Sequence, residues 1–210
     1  MIKILIADDH AIIREGLKQI VSETSDMVVA DEADTGHAVL DKVRNNEYTV
    51  VVLDISMPGG DGLNILKQLK KEKPKIPILV LSIHPEDQYA VRTLRAGAAG
   101  YLTKESAPDE LITAIRRVSG GRKYVSSFLA EKLAADLEGD SEKPLHETLS
   151  DREYQVMCLI ASGKRVKEIA EELRLSVKTI STYRSRILEK LRMKSSAELT
   201  HYALKHGLVE

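Results

Sequence analysis

The chain has 210 residues, 43% apolar and 30% charged, with a net charge of −1 and a single cysteine. It is long enough for two domains with their own cores, and it lacks the ~20-residue apolar run of a membrane span and the pattern of a signal peptide. One cysteine excludes an internal disulfide, and Cys158 within MCLIA reads as a packed thiol rather than a nucleophile; a cytoplasmic protein is the expectation.

The first half alternates. Strands are expected at 2–7 (IKILIA), 27–33, 49–54, 76–82 and 99–103, all short and rich in Val, Ile and Leu. Helical spacing fills the gaps at 12–22, 37–46, 63–72, 88–96 and 108–119. Five βα units in order imply a doubly wound parallel α/β sheet, with its site at the carboxyl ends of the strands. That rim collects Asp8, Asp9, Asp54, Ser82 and Lys104. Three carboxylates crowded together repel one another unless a cation joins them, and hard oxygen ligands suit Mg²⁺ or Mn²⁺. Asp54 also has the chemistry of a nucleophile toward a phosphoryl group, with Lys104 and the Ser82 hydroxyl placed to bind its oxygens. The plainer reading is that Asp9 merely caps the next helix. Five polar residues at one rim favour a site.

After Gly120-Gly121 the pattern changes. An amphipathic helix is expected at 127–137 and a polar linker at 139–148. Four helices follow, at 151–162, 166–173, 177–191 and 196–206. Residues 148–210 carry 12 Lys and Arg against 8 Asp and Glu, while the remainder carries 19 against 24. The helix at 177–191 has Ile180, Ile187 and Leu191 on one face and a basic, hydroxyl-rich opposite face. Ser176 is a good N-cap ahead of it. Two helices joined by a short break, the second basic outside, suit a helix-turn-helix. A solvated basic face with no DNA partner is the bland alternative.

These motifs resemble two known families. Asp8-Asp9, Asp54, M-P-x-x-D-G (57–62), Ser82 and Lys104 are similar to the receiver domain of two-component response regulators. The stretch from LSDREYQVM to RSRILEKL resembles the LuxR-type DNA-binding domain. Together they resemble the NarL/FixJ family of response regulators. The resemblance implies a receiver at 1–122, a linker with one helix at 123–147 and an all-α four-helix helix-turn-helix domain at 148–210. It implies that Asp54 is the phosphoacceptor, served by a histidine kinase and Mg²⁺. Asp9, Asp54 and the Ser56 carbonyl would ligate the ion, with Asp8 acting through water, and Ser82 with Tyr101 would form the switch. Ser56 and His84 occupy the places that tune the phosphoryl lifetime. In the recognition helix it implies base contacts from Ser181, Thr182, Ser185 and Arg184, and phosphate contacts from Lys164, Lys178, Thr179, Arg186, Lys190 and Lys194. The protein would be a transcription regulator that dimerises on promoter DNA, catalysing only its own phosphorylation and dephosphorylation. Glu105 stands where many receivers have proline, so a cis bond after Lys104 is not expected. Two rivals stay open: a turnover phosphohydrolase, and a regulator whose receiver is a phosphorylation-independent dimerisation or partner-binding module.

Overall fold

The computed structural model describes residues 1–57, 62–83, 86–127, 129–131, 134 and 144–209, with 87 and 88 described by backbone alone. The chain divides into two compact units, Met1–Leu137 and Glu138–Glu210.

The first unit alternates strands and helices: β1 (Ile2–Ala7), α1 (Ala11–Ser22), β2 (Met27–Ala33), α2 (Gly36–Asn45), β3 (Val50–Asp54), α3 (Gly62–Glu72), β4 (Ile78–Ser82), α4 (Glu86–Arg95), β5 (Gly100–Thr103) and α5 (Ala107–Ser119). The five strands form one parallel sheet in the order β2-β1-β3-β4-β5. β3 and β4 are buried along their whole length, as their unbroken apolar sequences require of strands covered on both faces. Ile4, Ile6, Val50, Val52, Leu79 and Leu81 point to one side. There they pack with Leu17 and Val21 of α1 and with Leu111, Ile115 and Val118 of α5. The alternate residues Leu5, Val51, Leu53 and Val80 face the other side and are equally buried. Each such aliphatic side chain contributes about 2 kcal/mol.

The second unit begins with a 3₁₀ turn at Leu145–Thr148 and continues as α6 (Asp151–Ala161), α7 (Val166–Glu172), α8 (Val177–Lys190) and α9 (Ser196–Lys205). Ser150 opens α6 with a capping box: its hydroxyl accepts from Glu153 N–H, and the Glu153 carboxylate accepts from Ser150 N–H. Ser176 and Ser195 cap α8 and α9. All four helices end the same way, at a left-handed residue: Gly163 (φ 84°), Arg174 (φ 51°), Arg192 (φ 57°) and Gly207 (φ 62°). In each case the next N–H bonds back to a carbonyl in the last turn, as Leu175 does to Ala170 at 2.8 Å. The bend between α7 and α8 is therefore set by Arg174 in a conformation that costs an L-residue about 1 kcal/mol. Tyr154, Met157, Ile169, Ile180, Ile187, Leu199 and Ala203 form the core among the four helices.

Three expectations change. Helix ends shift by one or two residues, and Thr49, Ile76, Pro77 and Ala99 lie outside the strands. The expected linker from 123 is no free connector at its start, because Tyr124 pairs with Gly100 of β5. β5 is an edge strand with unpaired backbone groups, and Tyr124 N–H satisfies the Ala99 carbonyl at 2.9 Å. At its other end, 145–148 is a 3₁₀ turn of the second unit. Of the expected helix at 127–137, residues 127, 129–131 and 134 are helical and the remainder lies outside the described residues. His84 and residues 58–61 of the M-P-x-x-D-G loop also lie outside them.

Candidate phosphoacceptor site and DNA-binding helix

The parallel register brings the rim residues together. Asp54 ends β3, Ser82 ends β4, Asp8 and Asp9 follow β1, and Lys104 follows β5. Lys104 N–H donates to the Ser82 carbonyl at 2.7 Å, which extends the β4–β5 ladder by one residue and aims the lysine at the rim. Its Nζ lies 2.8 Å from Asp54 Oδ2 and 2.6 Å from Asp8 Oδ2. The other Asp54 oxygen accepts from Ser56 N–H at 2.7 Å. Asp8, Asp54 and Ser82 are fully buried, as is Tyr101 on β5. Arg14 of α1 donates to the Asp8 carbonyl at 2.8 Å and pairs with Glu32 at 3.0 Å, which fixes the turn after β1. Gly62 sits where any Cβ would fall 2.3 Å from the Ile55 carbonyl oxygen, so the loop that returns to α3 tolerates no side chain there.

The electrostatics follow from this burial. Desolvation pushes the Asp54 carboxyl above its ordinary range, against the pull of the Lys104 ammonium. Burial alone would lower Lys104, but the Asp54 and Asp8 carboxylates outweigh it and raise its pKa. One lysine faces three acids. Asp9 Oδ1 is buried and makes no hydrogen bond. Nor does Asp9 cap α1, whose N-cap is His10 with no side-chain bond, so the helix-capping reading fails. Ligand atoms of Asp8, Asp9, His10 and Asp54 all lie within 4.8 Å of one another. A buried carboxylate oxygen without a hydrogen bond, among clustered oxygen donors, fits Mg²⁺ or Mn²⁺. The sequence reading passed over His10, whose Nδ1 lies 3.2 Å from Asp8 Oδ1 and 3.1 Å from Asp9 Oδ1. Its position directly after the paired acids was the available signal.

In α8 the hydroxyl-bearing residues Ser181, Thr182 and Ser185 are exposed on one face. Each hydroxyl donates to the carbonyl four residues earlier, which leaves its oxygen open as an acceptor. Lys178, Arg186 and Lys194 are exposed, and Thr179 is half-buried at the capped helix start. Three other expected contacts have partners inside the unit. Arg184 Nε donates to Ser196 Oγ at 2.8 Å, Lys190 pairs with Glu153 at 2.6 Å and Lys164 pairs with Glu172 at 2.6 Å. Arg184 is thus turned toward the start of α9. The buried acid Glu153 went unnoticed in the sequence, although S-x-x-E before an apolar run announces its capping role.

Residues 4–116 match the model of the response regulator receiver domain, and residues 147–203 match that of the bacterial regulatory proteins of the luxR family. The chain is a response regulator. It is 38% identical over 209 residues to the response regulator UvrY of Escherichia coli K12, covering 99% of this chain and 96% of that one. It is 37% identical to the response regulator GacA of Pseudomonas aeruginosa, covering 100% and 99%. Among solved structures, RcsB of Salmonella typhimurium superposes with a TM-score of 0.71 at 29% identity over 98% of both chains. RcsB of Salmonella enterica serovar Typhimurium, bound to the rprA promoter in the presence of the phosphomimetic BeF₃⁻, gives 0.66 at 29% identity over 96% and 97%. The receiver is thus the five-stranded unit, and the LuxR-type unit holds α7 and α8 as the two helices of its helix-turn-helix. No helix among the described residues is long and apolar enough to cross a membrane.

Proposed function

We propose that this response regulator is a cytoplasmic transcription factor switched by phosphorylation of Asp54 from a histidine kinase. The observation that carries the reading is the buried Asp54 carboxylate held between Lys104 Nζ and Ser56 N–H, beside an Asp9 oxygen that makes no hydrogen bond. An Asp54 oxygen attacks the phosphorus of a phosphohistidine whose second ring nitrogen is protonated, the P–N bond breaks, and the neutral imidazole leaves while an acyl phosphate forms. Asp9, Asp54 and the Ser56 carbonyl, with Asp8 acting through water, would hold Mg²⁺, which would supply neutralisation of the phosphoryl charge. Lys104 follows the new phosphoryl oxygens as a point charge, and the Ser82 hydroxyl donates to another. Hydrolysis by water returns Asp54, so the chemistry acts on the protein itself and no substrate is turned over.

The phosphoryl group adds charge and acceptors at the rim. The Ser82–Tyr101 pair reads this change, the protein dimerises, and two copies of α8 enter successive major grooves of promoter DNA. RcsB bound to promoter DNA supports this reading by analogy. Ser181, Thr182 and Ser185 face base edges, while Lys178, Arg186, Lys194 and the capped start of α8 face phosphates.

The test is incubation with acetyl phosphate and Mg²⁺, followed by intact mass and retention of promoter DNA, beside Asp54→Ala. A phosphoryl adduct on the wild type alone, with tighter dimerisation or DNA binding, is expected. No adduct at any Mg²⁺ concentration would leave the receiver as a phosphorylation-independent partner-binding module.

A further inference from the structure

The stretch after α5 is tied to the receiver at four points. Tyr124 runs parallel to β5 and pairs with Gly100, and its N–H donates to the Ala99 carbonyl. Lys123 Nζ donates to the Ala98 carbonyl. The Tyr124 hydroxyl donates to Glu110 of α5 at 2.7 Å. The Ser126 hydroxyl donates to the carboxylate of Glu86, the first residue of α4. Gly100 is where the approach is closest: a Cβ there would fall 2.8 Å from both Cβ and the carbonyl oxygen of Tyr124. The tyrosine lies near both acids, and its own burial with the Glu110 carboxylate pushes the phenol up to about 12.

Ser126 also begins the next turn of helix. Its hydroxyl oxygen accepts from Leu129 N–H at 3.1 Å, its carbonyl accepts from Ala130 N–H at 3.0 Å, and Leu129 is fully buried. One serine therefore caps the segment that leads toward the DNA-binding unit and latches that segment to α4. Only three residues separate Glu86 from Ser82, the residue at the phosphoacceptor rim. Extended, they span little more than ~13 Å, so the start of α4 is on a short tether to the rim.

We propose that residues 122–127 are a detachable strap over the β5 edge, latched by Ser126–Glu86, and that a phosphoryl group on Asp54 opens the latch by moving the start of α4. This rests on the phosphorylation reading above. Release adds residues 122–127 to the stretch that joins the two units and exposes the β5 edge, which couples the rim to the DNA-binding unit. Two of the four ties hold to β5 and α5, the Lys123 tie holds to Ala98 between α4 and β5, and only the fourth holds to the start of α4, so a displacement of that start strains the fourth first.

Hydrogen exchange on the full-length protein tests this, read by mass spectrometry on the peptide spanning 122–130. The Tyr124, Leu129 and Ala130 amides report the strap. Glu86→Ala keeps the Ser126 cap and removes the latch. It is expected to speed exchange in that peptide about tenfold while β1 and β3 stay protected. Beryllofluoride with Mg²⁺ is expected to do the same in the wild type and to add little in Glu86→Ala. Unchanged exchange in Glu86→Ala overturns the latch. Beryllofluoride that slows exchange around Asp54 but leaves 122–130 unchanged overturns the coupling. Beryllofluoride that changes nothing in the receiver, while Glu86→Ala still frees the strap, overturns the phosphorylation reading and leaves the latch standing.

Discussion

Lys104 Nζ stands 2.8 Å from Asp54 Oδ2 and is the only cation bridging that carboxylate to Asp8 among the described residues. Both acids are fully buried, and the lysine side chain is 11% exposed. Removing the ammonium leaves two buried charges with little else to neutralise them, a loss of about 3 kcal/mol or more. Lys104→Met should therefore unfold at lower urea in the presence of a chelator. Millimolar Mg²⁺ should restore more stability to it than to the wild type, since an ion bound only by the folded state stabilises by mass action. Equal urea midpoints for the two proteins in chelator would sink this. The Lys104 contribution should be complete below pH 10.5 and fall away as pH rises through its raised folded value.

Asp9 offers the opposite case. Its Oδ1 is buried without a hydrogen bond and shares the rim with two other carboxylates. Without a cation this arrangement costs stability that function has retained. Asp9→Asn should raise the melting temperature of the metal-free protein by several degrees, equivalent to about 1 kcal/mol. It should also abolish the stabilisation that Mg²⁺ gives the wild type. Scanning calorimetry with and without Mg²⁺ measures both. A lower melting temperature would mean that Asp9 serves the fold rather than the ion.

The sheet and its rim were legible because their signals are local. Five unbroken Val-, Ile- and Leu-rich runs, each followed by helical spacing, leave few arrangements, and parallel order places Asp8, Asp54, Ser82 and Lys104 together. Pairings across the chain were less legible. Nothing near Lys190 in sequence reveals the carboxylate 37 residues away that claims it. Nothing near Glu86 reveals Ser126. Arg174 in the left-handed conformation was hidden too, because arginine carries no turn signal and is held there by the bonds of Leu175 and its own N–H to α7. The start of the linker was misjudged because its composition is that of a free strand end. Only the unpaired edge of β5 explains why it adheres.

Glu153 joins helix capping to the core of the DNA-binding unit. Burial would raise its carboxyl, but Lys190 at 2.6 Å and the Ser150 donors outweigh it and hold it below the ordinary 4.5. A depressed folded value means that the contribution is present above pH 4.5 and is lost as pH falls through that folded value. Glu153→Gln should therefore be less stable than the wild type at pH 7, with the gap closing as pH drops below 4.5. Lys190→Ala should cost about 1–2 kcal/mol, tempered by the exposed face of the lysine. Urea melts of the second unit across pH 3–7 give both values. A gap that is constant with pH would remove the ion pair as the cause.

In the proposed DNA complex the exposed face of α8 makes two kinds of contact. Arg186 and Lys178 are solvated charges with no carboxylate partner among the described residues, whereas Ser181, Thr182 and Ser185 present acceptor oxygens and, for Thr182, a methyl group. A phosphate contact binds every sequence alike and releases about one counterion. Arg186→Ala should thus weaken specific and random duplexes by the same factor and lower the salt slope of log K by about 1. Thr182→Ser keeps the hydroxyl bond to Lys178 and deletes only the methyl. If that methyl meets a thymine, affinity should fall for the selected site and stay level for a random duplex, and replacing that thymine with uracil should remove the difference. The sites come from selection on a random duplex pool, and anisotropy titrations at several salt concentrations supply the rest. Equal losses on specific and random DNA for Thr182→Ser would move this residue from base reading to general packing against the groove.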